Sequence, residues 1–142
     1  MIKIITLLLL CTITVCAKPI TAEEWYVDVS GINESLEELL ETYNNSPYQQ
    51  QRNATIVKVC RLLRQKLYET YQTYRASLPE ELYAEADRAM RNWLAYEDKR
   101  TSDEYNRWGG TFAAQASGDL SKELMLAKIE FLEKITIKVD YE

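Results

Sequence analysis

The sequence predicts an all-α protein, an up-and-down bundle of three to four helices, with the option of a short two-stranded ribbon between the chain ends. Three observations carry this. Apolar residues recur at spacings of three and four over most of the chain, the period of one helix face. Only four glycines and three prolines interrupt 142 residues, of which 46% are hydrophobic and 27% charged. Connections between the periodic stretches are short, which makes consecutive helices antiparallel neighbours. A chain of this size and composition builds one core and one domain, residues 23–142.

The chain opens Met1-Ile2-Lys3 and continues apolar through residues 4–15, broken only by Thr6, Thr12 and Thr14. One positive charge, a short apolar run and then small residues describe an export signal over residues 1–17. The run is shorter than the roughly 20 apolar residues that a bilayer span needs. Cleavage is expected after Ala17 or after Ala22, and no later segment is apolar enough to cross a membrane. The expected location is therefore periplasmic or secreted. Cys16 invites a lipoprotein reading, but Val15 is larger than the residue that a lipidation site expects before its cysteine.

Trp25-Tyr26-Val27-Asp28-Val29 alternates at period two, and so do Ile135, Ile137, Val139 and Tyr141 in the tail. These are the two halves of the optional ribbon, which is stable only if packed on helices. Asn33 is placed to cap a first helix with Leu36, Leu40 and Tyr43 on one face, stopped by Asn44-Asn45-Ser46-Pro47. Ser46-Pro47-Tyr48-Gln49 has the form of a capping box with proline at the first helical position. The second helix then carries Ile56, Val59, Cys60, Leu63, Leu67, Tyr71, Tyr74 and Leu78 as one stripe.

Ser77-Leu78-Pro79-Glu80 repeats the capping-box pattern, so a third helix is expected with almost no loop. Its inward residues are expected to be Leu82, Ala86, Ala89, Met90, Trp93 and Tyr96. Beyond them the chain turns charged, and Arg100–Glu104 and Asp103–Arg107 are spaced to support an exposed helix. Gly109-Gly110 stops this helix, and residues 111–118 read as a loop. Ser117 or Asp119 then caps a last helix with Leu120, Leu124, Ala127, Phe131 and Ile135 inward.

Composition removes several functions at once. With no histidine, neither a serine–histidine nor a cysteine–histidine nucleophile is available, and the commonest zinc ligand is missing. Cys11 and Cys16 leave with the signal, so Cys60 stands alone and no internal disulfide forms. It reads as a small buried hydrophobe. Removing residues 1–17 takes Lys3 and no acid, which leaves 16 basic and 22 acidic residues, a net charge of −6. Such a domain repels phosphate backbones and attracts basic proteins. Adjacent carboxylates such as Glu37-Glu38 and Glu80-Glu81 do not converge on one point of a helix surface, so acid–base chemistry has no basis in the spacing. The expectation is a monomer that acts by binding, with neither enzymatic activity nor a cofactor.

One stretch has more specific content. Leu67-x-x-x-Tyr71 is followed by Ala89-x-Arg91-x-Trp93-x-x-Tyr96-x-Asp98, by Gly109-Gly110, and by Leu124-x-x-x-Lys128-x-x-x-Leu132. Over this half of the chain the sequence resembles the lysozyme-inhibitor family typified by the LprI N-terminal domain. The cysteine usual just after the family's aspartate is Thr101 here, and the second, near Leu120, is absent too. The resemblance implies a small secreted helical protein, in some members an inhibitor of lysozyme. A structural or accessory envelope protein with the same fold and no inhibition is the other reading.

Two constellations are candidates for recognition. Trp93, Tyr96 and Asp98 fit a packing role, with Trp93 at the bundle centre and Asp98 paired to Lys128 or Arg91, or an exposed ridge. Trp108-Gly109-Gly110-Thr111-Phe112 fits a plain helix stop or an interface anchor, because tryptophan is enriched in hot spots. The binding reading takes Trp108, Gly109, Gly110 and Thr111 as an inserted turn, with Asp103 and Glu104 as rim charges facing a basic lysozyme-like enzyme.

Overall fold

The computed structural model describes residues 18–25 and 27–139; the expected export signal lies outside them. Four helices follow in order: α1 (Leu36–Asn45), α2 (Gln49–Ala76), α3 (Tyr83–Trp108) and α4 (Gly110–Val139), with one 3-10 turn over Glu80–Leu82. The all-α bundle expected from the sequence is what forms. No strand occurs among the described residues. The optional ribbon is therefore wrong where it is described: Trp25 lies in a turn and the tail stays helical through Val139, while Tyr26 and Tyr141 lie outside the described residues.

α2 is the central rod, packed along α4 and α1, while α3 packs on α4. Cross-links fix the directions. Ile56 meets Gly118 in the first third of both helices, and Thr70 and Thr73 line a groove with Glu133 and Thr136 towards their ends, so α2 and α4 run parallel. Arg64 meets Glu97, and Arg75 meets Asp87, so α3 runs the other way. The core is Ile56, Val59, Leu63, Leu67 and Tyr71 of α2, Met125, Ile129 and Leu132 of α4, Met90 of α3, and Leu39 and Tyr43 of α1. The α2 stripe is thus the one that the sequence predicts, except that Cys60, Tyr74 and Leu78 are only partly enclosed.

Caps differ from expectation in ways that hydrogen bonds explain. Ser35, two residues after Asn33, caps α1 in a full capping box: its hydroxyl accepts from Glu38 N–H, and the Glu38 carboxylate accepts from Ser35 N–H at 2.7 Å. Ser46 accepts from Tyr48 N–H and donates to Gln51, which leaves Pro47 outside α2. The Ser77 hydroxyl turns back to the Tyr74 carbonyl at 2.6 Å. It therefore terminates α2 and does not start α3, and the 3-10 turn fills the gap.

Two helix faces are rotated from their expected phase. In α3 the buried residues are Asp87, Met90 and Glu97, while Leu82, Ala89 and Tyr96 are exposed and Trp93 is half-buried at the margin. In α4 the buried residues include Ala113, Gln115, Met125, Ile129 and Leu132, whereas Ala127 and Phe131 are exposed and Leu120, Leu124 and Ile135 are intermediate. Residues 111–118 are helix and not a loop, so α4 needs no cap from Ser117 or Asp119. Within this added stretch α4 approaches α2 closely at Gly118. A Cβ on Gly118 would lie 2.6 Å from Ile56 Cγ1, so α4 presses its backbone on α2 where only glycine fits.

The segment before α1 is part of the core. Ile20 and Trp25 are 2% and 1% exposed. The Trp25 ring stands edge-on to Tyr68 at 5.4 Å and beside Tyr71 at 5.9 Å.

Candidate functional site

The α3–α4 corner is built by two consecutive left-handed residues. Gly109 has φ 62 and ψ 171, a region that is essentially restricted to glycine, and Gly110 follows at φ 60. Gly109 N–H donates to the Tyr105 carbonyl at 3.3 Å, closing α3. The chain reverses within two residues, with Trp108 on one side and Phe112 on the other. Their rings meet edge-to-face at 5.1 Å. Both remain open to solvent, at 55% and 44%, and Tyr105 one turn earlier is 51% exposed.

Polar contacts fix these rings. The Trp108 indole N–H donates to Glu104 Oε1 at 2.7 Å. Asn53 donates to the Thr111 carbonyl at 2.9 Å, which ties the corner to α2. Trp108, Gly109, Gly110, Thr111 and Glu104 are therefore brought together. Asp103 pairs with Lys99 at 2.6 Å, and Glu104 pairs with Arg107 at 3.4 Å. These replace the expected Arg100–Glu104 and Asp103–Arg107 pairs, and Arg100 instead lies over the Tyr96 ring at 5.9 Å. Charges at the corner are thus mixed, and both rim acids already have basic partners.

The acidic excess is elsewhere. Residues 19–51 hold seven acids and no base, whereas residues 52–142 hold fifteen of each. The N-terminal segment and α1 carry it, with Asp28, Glu37 and Glu41 exposed. Lys58 holds Glu34 at 2.7 Å and lowers its pKa. Tallying charge by segment would have found this, where the net charge alone did not.

The other singled-out residues are structural in geometry. Leu67 and Tyr71 are buried in α2, and Leu124 is half-buried in α4. Exposed Ala89 makes no core contribution. Arg91 binds Glu24 at 3.1 Å and the Lys18 carbonyl at 2.9 Å, clamping the N-terminal segment. Lys128 lies 5.8 Å from the Trp93 ring and 5.2 Å from Phe131, and burial lowers its pKa. Asp98 pairs with neither Arg91 nor Lys128 but with Arg64 at 2.9 Å.

Two buried acids were missed by reading the apolar period alone. Asp87 is fully enclosed and accepts from the Tyr71 hydroxyl and from Arg75 Nε and Nη2 at 3.0 and 3.2 Å. Arg75 stacks over Tyr83 at 4.0 Å. Glu97, 2% exposed, accepts from Arg64 at 2.6 Å and from the Ser121 hydroxyl. Burial raises its pKa against the pull of Ser121 and Arg64. These pairs bridge α2 and α3, whose backbones do not pack closely. Asp87, Met90, Leu94, Glu97 and Thr101 share a helical period, so a stripe of acids interleaved with apolar residues was the available signal. Among the described residues, no cluster of cysteine and carboxylate side chains is arranged to hold a metal ion.

Compared with protein-family models, curated proteins and solved structures, the chain matches none.

Proposed function

We propose that this chain is an exported binding protein of the lysozyme-inhibitor type, which inserts the Trp108–Thr111 corner into a basic muramidase. One observation carries the reading. Two large aromatic side chains stand exposed and stacked at a corner whose backbone is fixed by glycine geometry and by Asn53. Rings left half in water add little to the core, whereas a preformed aromatic anchor lowers the ordering cost of binding.

Charge supports the class of partner. The acidic N-terminal segment and α1 attract a basic protein and speed its approach, and the mixed charges of the corner then permit close contact. Steering is the work of residues 19–51, and anchoring is the work of Trp108 and Phe112. Catalysis has no part in this reading.

Turbidity of cell-wall suspensions during lysis by a basic lysozyme tests it directly. The chain beginning at Lys18 is expected to slow lysis at low salt. Trp108→Ala should weaken inhibition by about 2 kcal/mol or more, the cost typical of a central anchor. It should lower folding stability by no more than about 1.5 kcal/mol, the upper range of one aromatic pair. Unchanged lysis at a large excess of the protein and low salt would refute the proposal and favour the accessory envelope role.

A further inference from the structure

A cleft of about 400 Å³ opens between α2, α3 and the first half of α4, a size typical of small-molecule sites. It lies on the seam where ion pairs between long side chains, not close backbone packing, join α2 to α3. Ile56, Val57, Ala114 and Met125 give it an apolar wall, and Arg61, Arg64, Glu97 and Asp98 a charged one. The contact of Gly118 on Ile56 closes its floor.

Which groups are already engaged decides what the cleft can hold. Glu97 has one oxygen on Arg64 and the other on Ser121. The Thr101 and Ser117 hydroxyls donate to the carbonyls of Glu97 and Thr101, and the Cys60 thiol to that of Gly118. Arg61 makes no ion pair among the described residues, and Arg64 reaches its two acids through Nη2 alone. The unused hydrogen-bonding capacity is therefore mostly that of guanidinium donors. Of the two acids on Arg64, Asp98, with its side chain 58% exposed, already faces water, whereas Glu97 at 3% is enclosed.

We propose that this cleft binds a small carboxylate carried on an apolar body, of the fatty-acid or aryl-acid class. Its carboxylate meets Arg61 and Arg64 at the mouth and displaces Asp98, in the geometry that guanidinium groups favour. Its apolar part lies along Ile56, Val57, Ala114 and Met125. Cys60 is covered when the ligand is in place. The site adjoins the diglycine corner through Tyr105 but does not depend on the identity of any protein partner.

Calorimetric titration of the chain beginning at Lys18 tests this with octanoate, hydrocinnamate, octanol and octylammonium. Either acid should bind at least about tenfold more tightly than the alcohol or the amine. Octanoate should also slow the reaction of Cys60 with a thiol reagent in proportion to occupancy. Arg61→Gln should weaken octanoate by about three- to tenfold, the range of one partly exposed ion pair. Ala114→Phe should fill the cleft and abolish binding. Val57→Glu, at a position 46% exposed and so tolerant of a polar side chain, should do the same by repulsion. Equal or tighter binding of octanol or octylammonium, no saturable binding of either acid, or wild-type affinity in Arg61→Gln and Val57→Glu would overturn the assignment.

Discussion

Asp87 and Glu97 show how single polar side chains set the position of a helix. Each is enclosed and each meets an arginine of α2, so removing either acid strands a guanidinium inside the seam. Asp87→Ala is expected to destabilise the fold by about 3–5 kcal/mol, as for other broken buried pairs, measured by urea denaturation. Cys60 and Tyr43 make stability depend on pH at the alkaline end. Burial pushes the Cys60 thiol up to about 11. Burial and the Asp119 carboxylate, 2.7 Å away, push Tyr43 up to about 12. In both, the unfolded chain releases its proton first, so stability is full below pH 9 and falls as pH rises through 9 to 12. Cys60→Ser should remove the loss that sets in at pH 9 and amounts to about 2 kcal/mol by pH 11, leaving the tyrosine contribution that begins near pH 10. An unchanged pH profile in that variant would place the effect elsewhere.

At the scale of elements, α2 was legible in its sequence because its stripe is apolar on one face only and runs without a break. The third and fourth helices were legible as helices, but not in which face turns inward. Met90 is buried as expected. Trp93, Tyr96 and Phe131 are large, apolar and correctly spaced, yet stand at or beyond the margin of the core, while Met125, Ile129 and Leu132 fill the interior. Each helix offers two faces of plausible period, and the neighbours chose. On α4 the choice was made at Gly118, which admits the helix to within contact of Ile56. Gly118→Ala gains helix propensity of about 0.5–1 kcal/mol but overpacks the contact by about 1–3 kcal/mol. Net destabilisation is expected. A double-mutant cycle with Ile56→Ala should return a coupling of about 0.5–3 kcal/mol; additive effects would mean that the helices separate freely.

For the whole molecule, the N-terminal segment matters more than its irregular form suggests. Ile20 and Trp25 complete the core, and Arg91 holds the Lys18 carbonyl and Glu24. A chain starting at Lys18 should be as stable as the full sequence. One starting at Glu23 loses Ile20 and the Lys18 contact, and should be less stable by about 1.5–3 kcal/mol, the value of burying one such side chain. Equal melting of the two would show that Ile20 is dispensable. The same segment and α1 hold the entire acidic excess, so loss of residues 18–22 changes packing while leaving all seven of those acids in place.

The sequence by itself determined the helical class, the short connections, the central α2 stripe and the reversal at Gly109-Gly110, because each follows from local geometry. Spacing fixes a helix, and only glycine adopts those dihedrals without strain. Tertiary structure alone decided which faces of α3 and α4 turn inward, that a tryptophan near the N-terminus is core, and that Asp98 pairs across to Arg64. Those outcomes join residues far apart in the chain, and a buried acid is tolerated only where a distant arginine is there to meet it.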